Sequence, residues 1–370
     1  MKEIEKVIEA YDQTNWDQEQ AALGTVVKVE ESAYRRVGAR LYVTSSGNWV
    51  GGISGGCLEG DALKRARMAI EKNHSSIVVY DTLDDDSHQI GVGLGCNGRI
   101  EVMFTPISKA NRPNPIEFLR SITSTRRTEV LLQVLRQEGE GQNLMGRFFP
   151  EHHKEELAEA AGVSMADLEH AIAAAREKGR SSVFVFSSPE GQESEVLVEL
   201  IRPKVKLVCA GDNYDVNAFV QIASELGWEV HIAGKLHKLD RRVFHLAESV
   251  CSYAEMENIP TDEHTAVVLM SHDYKIDLSL LKKLPGKAIP YIGMLGPRKR
   301  LIKMQQELIE EGQDLDLMRM VNLYSPTGLD IGAESPEEIA LSMAAEIIAV
   351  LRGREGSFLR KREGPIHERD

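Results

Sequence analysis

Val205-Lys206-Leu207-Val208-Cys209-Ala210, followed by Gly211-Asp212-Asn213-Tyr214-Asp215-Val216, is the stretch whose reading decides the fold. Its first six residues carry the apolar run of a buried strand, and Gly211 ends that run. A helical spacing follows from about residue 214 to 226, closed by Gly227. The rhythm then repeats. Strand patterns at 229–233, 266–270 and 288–292 alternate with helical patterns at 278–284 and 297–311. Strands separated by helices predict a doubly wound parallel sheet with helices on both faces, over residues 204–353. Its last helix opens at Ser335-Pro336-Glu337-Glu338, where Ser335 caps, Pro336 fits the first turn and Glu338 completes a capping box. Ile339, Met343, Ile347 and Val350 form its apolar stripe, and Gly353 ends it before a charged tail, 354–370.

In a Rossmann unit, a glycine-rich turn after the first strand lets backbone amides approach a pyrophosphate. Gly211 stands where the first glycine belongs, but Asn213 replaces the second and Val216 the third. Asp212 and Asp215 add negative charge where an anion would sit, and Gly234 holds the place of the expected ribose-binding carboxylate. The pattern predicts a Rossmann-like scaffold with a modified loop and argues against NAD as its cofactor. Ligands of open α/β sheets bind beyond the carboxyl ends of the strands. Two further loops belong there: Ser271-His272-Asp273, and Gly293-Met294-Leu295-Gly296-Pro297-Arg298-Lys299-Arg300. In the second, glycines, a helix start and three cations coincide, which reads as an anion site; a solvated Arg/Lys turn is the alternative. His272 is either a proton carrier or a hydrogen-bonded loop residue. The loop 324–334, with Gly328, Asp330 and Gly332, either closes over the same crevice or is a structural turn.

Upstream the chain reads as β-rich. Strand patterns fall at 24–30, Arg40–Thr44, 49–53, 76–80 and 99–104, with a hairpin turn at Ser45-Ser46-Gly47-Asn48 and a helix after Cys57. Residues 108–115 read as a linker, punctuated by Asn111, Pro113 and Pro115. From about 115 to 203, strands at 128–135, 183–187 and 195–201 and a helix over 155–178 broken near Gly162 form a second layer of the same domain. The predicted class is α/β: an N-terminal mixed, β-rich α+β domain over 1–203, then the Rossmann-like domain.

Cys57 lies in Gly55-Gly56-Cys57-Leu58-Glu59-Gly60, where a strand turns into a helix whose N-terminus favours a thiolate. Cys96 lies in another glycine frame, Gly93-Leu94-Gly95-Cys96-Asn97-Gly98. Cys209 and Cys251 read as buried small hydrophobes. Cys57 and Cys96 are open to zinc binding, to a redox disulfide, or to contact with a soft, sulfur-rich metal group such as molybdenum. Arg35 and Arg36 belong to a second cationic loop suited to phosphate, or to an exposed hairpin end.

Composition narrows the function classes. Lys+Arg 44 against Asp+Glu 57 leaves a net charge of −13, and aromatic residues are only 6%. An acidic chain with few stacking platforms is a poor partner for nucleic acid or an anionic membrane. The N-terminus lacks the basic start and apolar stretch of a signal peptide, and four cysteines without a CxxC pair are too few for a disulfide scaffold. A cytoplasmic protein with reduced thiols is expected.

The glycine frame of Cys57 and the motif Gly328-Leu329-Asp330-Ile331-Gly332-Ala333-Glu334, with the stretches 24–40, 93–102, 207–227, 271–273, 291–300 and 325–352, resemble the XdhC/CoxI family. These are accessory proteins of molybdenum hydroxylases such as xanthine dehydrogenase. The resemblance implies a non-catalytic chaperone that binds the molybdenum cofactor in its molybdopterin form. It holds the cofactor while a cysteine desulfurase helps install the sulfido ligand, and passes it to the hydroxylase apoenzyme. The candidate cofactor-binding residues are then Arg35, Arg36, Cys57, Glu59, Cys96, Gly211, His272, Gly293, Gly296, Arg298, Arg300 and Asp330, with Cys57 and Cys96 as the candidate molybdenum contacts. The chain departs from the family at Asn213 and Gly234, where relatives keep a Gly-x-Gly start and an acidic residue. The alternatives are an NAD(P)-dependent oxidoreductase, a thiol-redox or sulfur-transfer protein using Cys57, and a scaffold that binds only protein partners; self-association as a homodimer is open.

Overall fold

A computed structural model describes residues 1–31, 34–81, 98–110, 114–138, 144–188 and 191–363. To Lys361 the chain forms two compact units, Met1–Pro203 and Lys204–Lys361.

The first unit runs α1 (Lys2–Gln13), β1 (Ala21–Glu31), β2 (Arg40–Thr44), β3 (Trp49–Gly51), α2 (Glu59–Lys72), β4 (Ser76–Asp81) and β5 (Gly98–Ile107). It continues with α3 (Pro115–Thr123), β6 (Glu129–Gln137), β7 (Phe148–Pro150), α4 (Lys154–Ala161), α5 (Met165–Lys178), β8 (Ser182–Ser187) and β9 (Glu193–Ile201). Strands β1 to β5 make an antiparallel sheet in the order β3-β2-β1-β5-β4, and the later four a second antiparallel sheet, β7-β6-β9-β8. Helix α2 meets the first sheet through Ala62, Ala66 and Ala69, whose small side chains let it lie close over Ala22, Val26 and Phe104. The opposite face carries Leu23 and Tyr42 into a shared core with Ile4 and Val7 of α1, Ile116 and Leu119 of α3, and Leu131 and Phe148 of the second sheet. β1 is therefore covered on both sides, which explains its near-continuous apolar sequence. The Arg40 guanidinium also reaches Glu199 of β9 at 2.7 Å, with both side chains at least 95% buried.

The second unit runs β10 (Lys206–Ala210), α6 (Asp215–Glu225), β11 (Glu229–Ala233), α7 (Val243–Leu246), β12 (Ser249–Cys251) and β13 (Thr265–Leu269). Then come α8 (Tyr274–Leu281), β14 (Tyr291–Met294), α9 (Arg298–Glu310), β15 (Leu323–Tyr324) and α10 (Pro336–Leu351). Its six strands are all parallel, in the order β12-β11-β10-β13-β14-β15. In chain order that is 3-2-1-4-5-6, the Rossmann arrangement, with the topological switch between β10 and β13. One core packs α6 and α10 on one face of the sheet, and a second packs α8 and α9 on the other.

Several local expectations shift. The supposed linker 108–115 ends in a helix start: Asn114 caps α3, its Oδ1 accepting from Ile116 N at 2.9 Å, and Pro115 is the first helical residue. Of the punctuating residues, Pro115 thus opens an element, while Asn111 and Pro113 lie outside the described residues. Helix α8 begins at Tyr274, ahead of the expected 278, because Asp273 caps it. Strand β14 is Tyr291–Met294 and not 288–292: Pro290 has no N–H for the ladder, so pairing starts after it. Gly293 therefore lies inside a strand. Helix α1 lies outside the expected elements although Ile4, Val7, Ile8 and Tyr11 recur at helical spacing and are buried, whereas β12, β15 and α7 are only two to four residues long and carry no clear sequence signal. The capping box at Ser335 and Glu338 forms as expected, and Gly162 separates α4 from α5 with φ 64°.

Candidate functional site

The loops after β10 and β13 meet across the switch point. Gly211 N donates to Ala233 O at 2.9 Å, and a side chain at Gly211 would meet Met270 O at 2.8 Å. Glycine is required there by the close approach of two backbones. Asn213 Nδ2 donates to Ser271 O at 3.1 Å, and His272 Nε2 lies 2.6 Å from Asp215 Oδ2. His272 holds φ 59°, a strained conformation for a residue with a Cβ. Its neighbours hold it there. Ser271 Oγ donates to Asp277 Oδ1, Asp273 N donates to Ser271 Oγ at 3.1 Å, and Asp273 accepts from Lys275 N and Ile276 N. Asp277 is 1% exposed and takes the Arg300 guanidinium at 2.6 Å. Burial pushes the Asp277 carboxyl up, against the pull of Ser271 and Arg300.

Of the three cations read as an anion site, Arg300 thus faces Asp277, while Arg298 and Lys299 are exposed at the start of α9. Gly296 precedes them with φ 117°. Gly293 answers a packing need: a Cβ there would meet Thr327 Oγ1 at 2.5 Å and Tyr291 Cε1 at 2.9 Å. Tyr291 OH bonds to Thr327 Oγ1 and to Glu346 Oε2, which also accepts from Gly328 N at 2.8 Å. Ser342 Oγ donates to Leu329 O at 2.6 Å. The last loop is thereby anchored to β14 and α10, and Asp330 is exposed upon it.

Asp212 reaches toward the end of β11. Its Oδ2 accepts from Lys235 N and from Tyr253 OH, both at 3.0 Å, and Lys238 Nζ stands 3.9 Å from Oδ1. Burial and this bond push the Tyr253 phenol up. Tyr253, Asp277 and Glu346 carry much of the architecture here, and nothing in the sequence singles them out. Asp277 falls just before the helical pattern expected at 278–284 and Glu346 inside the last helix, and only tertiary contact distinguishes them from solvated charges.

In the first unit, Cys57 is exposed two residues before α2. Ser54 Oγ accepts from Gly56 N and Leu58 N, both at 3.1 Å, and lies 3.6 Å from Cys57 Sγ. Glu59 closes this loop from within the first turn: its carboxylate accepts from Ile53 N at 3.2 Å, Ser54 N at 2.9 Å and Ser54 Oγ. Burial opposes its charge, but these donors outweigh burial and hold the carboxyl below its usual range. A Cβ at Gly56 or Gly60 would meet nothing within 4 Å, so the backbone beside Cys57 is open to approach. Arg35 pairs with Glu3 of α1, Arg36 is exposed, and Cys96 lies outside the described residues. Cys209 is buried, which pushes its thiol up; burial does the same, less completely, at Cys251. Among the described residues no three His, Cys, Asp or Glu side chains gather as metal ligands, and no helix is long and apolar enough to cross a membrane.

These features define a two-unit α/β protein built on a Rossmann scaffold preceded by an antiparallel α+β unit. Residues 207–347 match the XdhC Rossmann domain, and residues 17–81 match the XdhC and CoxI family. The chain belongs to the XdhC and CoxI family. It is 28% identical over 343 residues to a probable xanthine dehydrogenase subunit of Bacillus subtilis (strain 168), covering 90% of this chain and 93% of that one. It is 22% identical over 330 residues to the molybdenum cofactor insertion chaperone PaoD of Escherichia coli (strain K12), covering 89% and 83%. A crystal structure described as a xanthine dehydrogenase from Bacillus halodurans superposes with a TM-score of 0.72 at 24% identity, over 96% of this chain and 97% of that chain, and shares the fold.

Proposed function

We propose that the protein is a cytoplasmic accessory factor for a molybdenum hydroxylase of the xanthine dehydrogenase type. It binds the molybdenum cofactor in its molybdopterin form, shields it while a cysteine desulfurase supplies sulfur, and delivers it to the apoenzyme. The observation that carries this reading is the exposed Cys57 thiol in an open glycine loop, in a chain of this family. The likeness to a molybdenum cofactor insertion chaperone supports it.

The residues fit such a group by their chemistry. When bound, the cofactor supplies a soft molybdenum centre and an anionic phosphate. In the first unit, Cys57 offers a soft donor, and the backbone at Gly56 and Gly60 leaves room beside it. In the second unit, Arg298 and Lys299 are the exposed cations at the start of α9, where backbone N–H groups also point outward. His272, held by Asp215, is a neighbouring hydrogen-bonding group at the switch point. Glu59 keeps the Cys57 loop in shape.

The test is molybdenum and pterin content after the purified protein is mixed anaerobically with molybdenum cofactor and passed over a desalting column. Near-stoichiometric retention is expected, with weaker retention in Cys57→Ala, Cys96→Ala or Arg298→Ala. A folded wild-type protein that retains neither molybdenum nor pterin would remove the cofactor from the account and leave the scaffold or thiol-redox readings.

A further inference from the structure

The end of β11 is where a Rossmann unit places the carboxylate that binds an adenosine ribose. Here that place holds Gly234, and a Cβ on it would meet Gly211 O at 2.7 Å and Asp212 Cβ at 3.2 Å. The loops after β10 and β11 are thus pressed together where a ribose would lie between them. The donors at that end of the sheet already have an acceptor. Lys235 N and Tyr253 OH both bond to Asp212 Oδ2, and Lys238 stands beside Oδ1. The Asp212 side chain is only 4% exposed, so it is not a ribose ligand supplied from a neighbouring loop; a ligand would have to expel it. Next to it, Asp215 places a carboxylate at the first residue of α6, where a pyrophosphate would meet the helix N-terminus, and His272 Nε2 lies 2.6 Å from its Oδ2.

We propose that Asp212 is a built-in occupant of the adenosine-ribose position, and that it sets the specificity of the Rossmann unit by turning away NAD, NADP and other adenine dinucleotides. The ligand class left to the crevice is one without an adenosyl ribose. Removing the carboxylate leaves Lys235 N–H, Tyr253 OH and Lys238 without their acceptor. Ribose hydroxyls or a 2′-phosphate are the groups that satisfy such donors. Substitution at Asp212 is therefore expected to create nucleotide binding where the wild type has none. The inference stands apart from the molybdenum reading, since none of its measurements involves molybdenum or pterin.

The experiment is isothermal titration calorimetry of the full-length protein with ADP-ribose and with adenosine 2′,5′-bisphosphate at one fixed salt concentration. Thermal melts run in parallel to confirm folding. The wild type is expected to bind neither measurably. Asp212→Ala is expected to gain at least about tenfold in affinity, most for the bisphosphate, whose 2′-phosphate replaces the lost negative charge. If Asp212→Ala does not fold, Asp212→Ser, which keeps one acceptor for Lys235 N–H, takes its place with the same expectation. Tyr253→Phe leaves the carboxylate seated and is expected to gain nothing. Micromolar binding by the wild type, a folded Asp212 variant with no gain, or an equal gain in Tyr253→Phe would each overturn the proposal.

Discussion

Glu59 shows how one side chain can carry a loop. It lies in the glycine motif that marks the family, yet its carboxylate faces the loop's own donors at Ile53 and Ser54. Its carboxyl is held below the ordinary 4.5 by those bonds, against the cost of burial. A depressed acid stabilises the fold above its unfolded-state value, and that stability is lost as pH falls through the folded-state value. Glu59→Gln is therefore expected to cost about 1–3 kcal/mol at neutral pH. The gap to wild type should close as the solution is taken below pH 4.5. Urea unfolding across that range measures it; a gap that stays constant with pH would show that the charge of Glu59 is not what holds the loop. The motif was legible in the sequence. The direction in which its carboxylate points was not, because that depends on where residues 53 and 54 return to the helix start.

At the scale of elements, the informative errors concern where strands and helices begin. Gly293 reads as a loop glycine that frees backbone for an anion. In the structure it lies within β14, and the space its missing side chain leaves is filled by Thr327 and Tyr291. That contact seats the Tyr291–Thr327–Glu346 cluster, which anchors the last loop to α10. Gly293→Ala is expected to lower stability by about 1–3 kcal/mol through overpacking, read as a reduced urea midpoint. An unchanged midpoint would mean that the loop moves aside without cost. Helix starts divide along the same line. Ser335 was readable because cap, proline and glutamate fall at fixed spacing, whereas Asn114 and Asp273 carry no such box and read as turn residues.

For the molecule as a whole, the two cores of the second unit draw only on residues between 205 and 351. A fragment of residues 204–361 is therefore expected to fold alone, with a single cooperative urea transition and the helical signal of an α/β domain. A fragment that unfolds gradually would show that its cores need something from outside these residues. The first unit is built differently. Its two sheets share a core through Leu23, Leu131 and Phe148, and the buried Arg40–Glu199 pair spans them, so cutting near residue 115 would expose apolar surface on both sides.

The sequence by itself determined the alternation that makes the second unit a parallel doubly wound sheet, the capped last helix, and the family motifs around Cys57 and Asp330. These are local patterns of period, glycine and charge, and they survive without knowledge of partners. Only the tertiary structure decided which charges are exposed and which are internal. Arg298 and Arg300 are two residues apart, yet one faces solvent and the other pairs with buried Asp277. Asp212 and Asp215 are three apart, yet one seals the end of β11 and the other meets His272 across the switch point. The physical reason is that a charged side chain's role is set by the donors and acceptors that distant segments bring within about 3 Å of it, and chain spacing does not encode that distance.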